Sequence, residues 1–268
     1  MQNWGLQVEE VPIQLDSFCL GAPQIQLVNS DRIIQCDEQA LKRLPIQKAV
    51  DLLQEEWIMI YQHPEQPNGR RRSNFAIADT IHTTFKQACA QLKIRVEEPH
   101  WIELENEQDY AEVKAKLLNY MMDGPQSVFR HPKIAVVVLG QESNYRMFKE
   151  LFHEFKIPSQ VVTTRNGSKF NMSKASNILR QINSKIEGDL FHLKFPQALD
   201  SKRPMLIGID VCHAGPSSVV GFAASTNQQL SQYYSEYIVQ RKGQEIVETQ
   251  MKESIKKAVG VFTEHHNR

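Results

Sequence analysis

The chain has 268 residues, with 31 Lys and Arg balancing 31 Asp and Glu and 41% hydrophobic residues, a length that predicts one large or two modest domains around a buried core. No apolar stretch reaches the roughly 20 residues of a membrane span, and the opening MQNWGLQVEEVPIQL lacks the basic-then-apolar pattern of a secretory signal, so a soluble intracellular protein is expected. Cys19, Cys36, Cys89 and Cys212 are far apart with no CxxC pair, which argues against a disulfide framework or zinc knuckle and for reduced thiols.

Residues 57–61 (WIMIY) predict a short apolar strand, and after the Pro- and Arg-rich break HPEQPNGRRRSN residues 76–92 predict a helix. Residues 108–122 (QDYAEVKAKLLNYMM) have helical spacing, with Tyr110, Val113, Leu117, Leu118 and Met121 on one stripe. Residues 133–139 (KIAVVVL) are a continuous apolar run of the kind buried on both faces of a parallel sheet. A helix over ESNYRMFKELFHEF, a short strand SQVVTT and a helix over 172–186 follow. This alternation predicts a parallel α/β domain, in which ligands sit at the carboxyl ends of strands.

After Arg203 and Pro204 the pattern changes. Residues 205–210, 218–225 and 233–240 predict three strands separated by short polar turns, hence antiparallel hairpins. A helix over 244–265 carries Val247, Met251, Ile255, Ala258 and Phe262 at helical spacing. Three meandering strands, an acid (Asp210) ending the first, and a helix with an acid in its opening turn predict the start of a ribonuclease-H-like core. Two other readings fit the same residues. Asp210 serves turn geometry alone in one; in the other the fold is an actin-like ATPase, for which CHAGPSS makes a poor phosphate loop.

The zero net charge is unevenly distributed. Residues 1–129 carry 12 Lys and Arg against 19 Asp and Glu, residues 130–205 carry 13 against 6, and residues 206–268 carry 6 of each. A basic middle suits a polyanion-binding segment, and equally an ordinary solvated set of helix faces.

The run RPMLIGIDVCHAGPSSVVGFAASTNQQLSQYYSEYIVQRKGQEIV resembles the opening of the Piwi domain in the Argonaute/Piwi family, with the Piwi branch the nearer match. The preceding segment, from KIAVVVLGQESNYRMFKELF to NSKIEG, resembles the Mid domain, and the front, with NWGL and WIMIY, resembles the linker before it. The resemblance implies an α/β chain in three parts: a linker over 1–50, a Rossmann-like Mid domain over 51–200, and the first part of a ribonuclease-H-like Piwi domain over 201–268. It implies a small-guide-RNA (piRNA-like) binding protein of RNA silencing, cytoplasmic or nuclear. Its partners would be a guide RNA, a target RNA found by guide pairing, and silencing-complex proteins, with no membrane.

By the same resemblance, the 5′ phosphate of the guide is held by Tyr145 and Lys149 (YRMFK), Gln160 (PSQVV) and Lys185 (NSKIEG). A spacing of four puts Tyr145 and Lys149 on one helix face, near an amino-terminal end where free N–H groups favour an anion. The competing reading makes Tyr145, Phe148, Phe152 and Phe155 the buried stripe of an amphipathic helix. Arg165, Lys169, Lys174 and Arg180 would contact the guide backbone, and loop 140–144 would face the first base. The family cleaves RNA with Mg²⁺ held by an Asp, a Glu, a second Asp and a His; Asp210 matches the first and Glu245 (GQEIV) the second, whereas His213 matches none and reads as structural. The remaining ligands would fall beyond Arg268, so a truncated chain without slicing activity is expected. A non-catalytic, degenerate binding or scaffold module is the alternative, and a guide-independent ribonuclease-H-like nuclease a third.

Overall fold

The computed structural model describes residues 15–17, 19, 21–26, 33–35, 44–62, 74–123, 129–195, 197, 202–243 and 248–266. Two short strands, β1 (Gln24–Gln26) and β2 (Ile33–Gln35), pair antiparallel in the front segment. There follow β3 (Trp57–Gln62), α1 (Asn74–Leu92), β4 (His100–Leu104), α2 (Tyr110–Met122) and β5 (Ile134–Leu139). A 3₁₀ turn at Glu142–Asn144 then leads into α3 (Tyr145–Glu154), β6 (Ser159–Thr163) and α4 (Met172–Lys185).

Strands β3 to β6 make a parallel sheet in the order β4-β3-β5-β6. All six residues of β5 are buried, because helices cover both faces. On one face Trp57, Met59, Val136 and Val138 pack against Ile81 and Phe85 of α1 and Leu179 and Ile182 of α4. On the other, Ile58, Ile60, Val137 and Leu139 pack against Leu117 of α2 and Phe148 and Phe152 of α3. This three-layer, doubly wound arrangement is Rossmann-like. The expected α2 stripe is rotated slightly: Tyr120 is buried, its hydroxyl donating to the Glu55 carbonyl at 2.7 Å, whereas Tyr110 is exposed and donates to Glu154.

The front segment is tied to the end of the parallel-sheet region. β1 also pairs with β7 (His192–Leu193), closing a small antiparallel sheet. Buried Asn183 on α4 accepts from the Val50 N–H at 2.9 Å and donates to the Lys48 carbonyl at 3.0 Å, and Arg180 donates to the Leu44 carbonyl. Gly188 lies so close that a Cβ there would stand 2.2 Å from the Asn183 amide.

The second sheet is antiparallel, in the order β10-β9-β8, from β8 (Ile207–Ala214), β9 (Ser217–Ser225) and β10 (Tyr233–Arg241). Helix α5 (Glu248–His266) covers the face carrying Val220, Phe222 and Ala224. Among its described side chains Ser254 and Ala258 are buried and Ile255 is exposed; Val247 lies outside the described residues. Mixed strands and helices of this kind match the expected α/β class. Asp210 does not end its strand, as the sequence suggested. The strand continues to Ala214, and the hairpin turns at Gly215 and Pro216, where Gly215 adopts φ +64°.

Replacing Asn183 by Ala removes both ties to the front segment. The expected loss is about 1–2 kcal/mol of unfolding free energy, read from the denaturant midpoint, with faster exchange of the Val50 amide; an unchanged midpoint and exchange rate would contradict this anchoring.

Candidate nucleic-acid interface

The four residues singled out for anion binding come together at the outer edge of β6. Among the described residues that strand pairs with β5 alone, which leaves the Ser159 carbonyl without a strand partner there. Lys149 reaches it from α3, which packs on one face of the sheet, and Lys185 reaches it from the last position of α4, which packs on the other. The Lys149 ammonium donates to the Ser159 carbonyl and to the Ser159 hydroxyl, each at 2.9 Å. The Lys185 ammonium donates to the same carbonyl at 2.8 Å and to Gln160 Oε1 at 2.7 Å. Ser159 and Gln160 are buried. The site therefore lies at the beginning of β6 and not at the carboxyl end of β5, because both lysines are long enough to reach around the exposed strand edge.

The two charges disfavour each other. Desolvation, and then the charge of Lys149, pulls the Lys185 ammonium down to about 8 from the ordinary lysine value, and desolvation lowers Lys149 as well. Neither lysine is paired with a carboxylate among the described residues. Tyr145 opens α3 and is half exposed, with the Lys149 ammonium 5.6 Å from its ring centroid. Phe148 and Phe152 are fully buried, so the hydrophobic stripe of α3 runs through them and leaves Tyr145 outside it.

The loop ahead of Tyr145 is held by a residue the sequence did not single out. Glu107, in the β4–α2 loop and only 2% exposed, accepts the Gly140 N–H at 2.8 Å and the Gln141 N–H at 2.6 Å, and the Asn144 amide at 3.1 Å. No local pattern announces it, since its partners lie more than 30 positions away.

Of the residues assigned to the guide backbone, Arg165 and Lys169 are exposed and Lys174 is half-buried. Arg180 is different: it is turned into the fold, donates to the Leu44 carbonyl at 2.5 Å, and is lowered from its ordinary pKa by burial. It holds the front segment, not the surface.

In the second sheet Asp210 sits in the middle of β8, exposed and opposite Gly221. Glu245 lies outside the described residues. Among the described residues no group of three or more His, Cys, Asp or Glu side chains is placed to hold a metal ion. One carboxylate does not make a Mg²⁺ centre, which takes about six oxygen ligands. His213 accepts or donates at 2.7 Å to the buried Ser218 hydroxyl, a structural role. Cys89 is buried and its thiol is pushed up to about 12 by desolvation, which makes it unreactive.

A sequence profile described as the Piwi domain matches residues 131–268. Piwi-like protein 1 of Danio rerio is 26% identical over 281 residues, an alignment that spans all of this chain and 30% of that protein. The crystal structure of Drosophila Piwi superposes with a TM-score of 0.71 at 17% identity, over 93% of this chain and 32% of the other. The structure of Kluyveromyces polysporus Argonaute with a guide RNA superposes with a TM-score of 0.67 at 16% identity, over 92% and 32%. The chain thus spans about a third of the length of the proteins it resembles, and the doubly wound sheet followed by the antiparallel sheet is the fold they share with it. With more than half of its residues matched by the domain profile, the chain belongs to the Piwi domain family of Piwi and Argonaute proteins.

Proposed function

We propose that the chain is part of a guide-binding protein of RNA silencing, in which Tyr145, Lys149, Gln160 and Lys185 seat the 5′ phosphate of a small RNA. The observation that carries this reading is the pair of ammonium groups gathered on one neutral carbonyl oxygen, with no carboxylate among the described residues to balance them. Such an arrangement lacks an anion: each charge raises the cost of the other until a group of opposite sign enters. A terminal phosphate monoester carries between one and two negative charges at neutral pH and three acceptor oxygens, more than an internal diester offers. The Gln160 amide would add a neutral donor, and the exposed Tyr145 ring a stacking face for the first base. The K. polysporus Argonaute that shares the fold was solved with a guide RNA, which supports the same partner here.

Arg165, Lys169 and Lys174 would then follow the sugar-phosphate backbone, where contacts give affinity without sequence preference and base pairing selects the target. Asp210 would serve as one ligand of a Mg²⁺ centre completed by Glu245 and by residues beyond those described. Silencing-complex proteins and target RNA would be the further partners of the assembled protein.

A 5′-phosphorylated RNA of about 20 nucleotides is expected to bind the chain at least about tenfold more tightly than its 5′-hydroxyl counterpart, a difference of about 1.4 kcal/mol. Equal affinities would sink the phosphate seat and leave a binding module of another kind. Substituting Lys149→Gln or Lys185→Gln should abolish most of that preference. Lys169→Gln should weaken both RNAs by the same factor and shallow the salt dependence by about one phosphate contact; titrations at two salt concentrations separate the two classes.

A further inference from the structure

We infer that Glu107 is a positioning residue for the nucleotide-binding edge: it fixes loop 140–144, and with it the start of α3, the helix that presents Tyr145 and Lys149. The inference rests on the phosphate-seat reading and adds the device that holds that seat in shape.

Glu107 is itself held from behind. The Glu112 carboxylate accepts the N–H groups of Glu105 and Asn106 at 2.8 and 2.9 Å, Asp109 caps the first turn of α2 through the Ala111 and Glu112 N–H groups, and Asn106 accepts the Gln108 N–H. The β4–α2 loop is therefore a braced platform, and its one buried carboxylate faces the β5–α3 loop. A second link, from Gln108 Nε2 to Gln141 Oε1 at 2.9 Å, ties the same two loops at the surface. Gly140 belongs to the arrangement as well, because a Cβ there would stand 3.2 Å from both Glu107 oxygens.

The chemistry of this clamp restricts what the loop can offer a ligand. The Gly140 and Gln141 N–H groups, otherwise free donors at the end of a parallel strand, are consumed by Glu107. Gln141, Glu142 and Ser143 are exposed in the stretch that leads into Tyr145. Holding the loop in one conformation lets the full affinity of the seat be realised, since a ligand that must first order its site loses affinity in proportion to the unordered fraction.

Glu107→Gln tests this while keeping the shape. Whichever way the amide turns, its NH₂ group meets a backbone N–H, at Gly140 or at Gln141, so one clamp bond is replaced by two opposed donors. The probes are four otherwise identical 5′-phosphorylated RNAs differing in the first nucleotide, plus one 5′-hydroxyl RNA, with amide exchange of Gly140 and Gln141 followed in parallel. The expected result is accelerated exchange at those two amides, about tenfold weaker binding of the phosphorylated RNAs, and compression of any difference among the four first nucleotides. Gly140→Ala, which crowds both oxygens of the same carboxylate, should move affinity in the same direction. If both variants bind all five RNAs as the unsubstituted chain does, Glu107 is structural only and the inference fails while the phosphate seat stands. If the unsubstituted chain binds phosphorylated and hydroxyl RNA alike, the seat itself fails and this inference falls with it.

Discussion

Two ammonium groups on one carbonyl oxygen, at the open edge of a parallel sheet, are the constraint around which this structure is organised. Lys149 comes from the helix layer on one face and Lys185 from the layer on the other, and they meet because no further strand among the described residues lies beside β6. A fifth parallel strand would pair the Ser159 carbonyl and close the approach. Moving either helix by a turn would carry its lysine about 5 Å along the edge and undo the convergence. The cores on the two faces, with Phe148 and Phe152 in one and Leu179 and Ile182 in the other, therefore set the separation of the two charges. Packing fixes the position of the site, and desolvation gives it its electrostatic demand.

The second sheet is fastened to this same corner. Ser231, in the β9–β10 connection, donates to the buried Asp189 carboxylate at 2.5 Å, and Gln232 donates to the Glu187 carbonyl at 3.2 Å. Both acceptors follow Lys185 within four residues. A cavity of about 470 Å³ lies between them, lined by Lys185, Gln232, Tyr234 and His265. The backbone of Asp189 also receives the N–H groups of Gln47 and Lys48. One short stretch after α4 thus joins the front segment, the parallel sheet and the antiparallel sheet, and the lysine pair lies beside that joint.

What could be read from the sequence was what periodicity encodes. The unbroken run at residues 134–139 is buried on both faces as expected, and the spacing of Tyr145 and Lys149 does place them on one helix face. β4 was passed over because HWIEL, an edge strand, buries only two of its five residues and so shows neither a continuous run nor a clean alternation. β1 and β2 are three residues each, too short for any pattern, and exist because β7 supplies a partner. The end of β8 was misplaced because Asp210 looks like a turn residue, whereas the turn is made by the Gly215-Pro216 pair five positions later. Glu107 and Arg180 were illegible or misassigned for one reason. Their roles depend on partners 33 and 136 positions away, at Gly140 and Leu44, which composition and spacing along the chain cannot encode.

The Lys185 ammonium group is the most direct reporter of a phosphate at this edge. Titrated by NMR in the free chain, it should lose its proton near pH 8, held low by desolvation and by Lys149. Adding a 5′-phosphorylated RNA should raise that value toward the ordinary lysine range, since an adjacent anion favours the charged form, and a 5′-hydroxyl RNA should leave it in place. A Lys185 titration that both RNAs move equally, or that neither moves, would contradict the claim that this edge is built to receive a terminal phosphate.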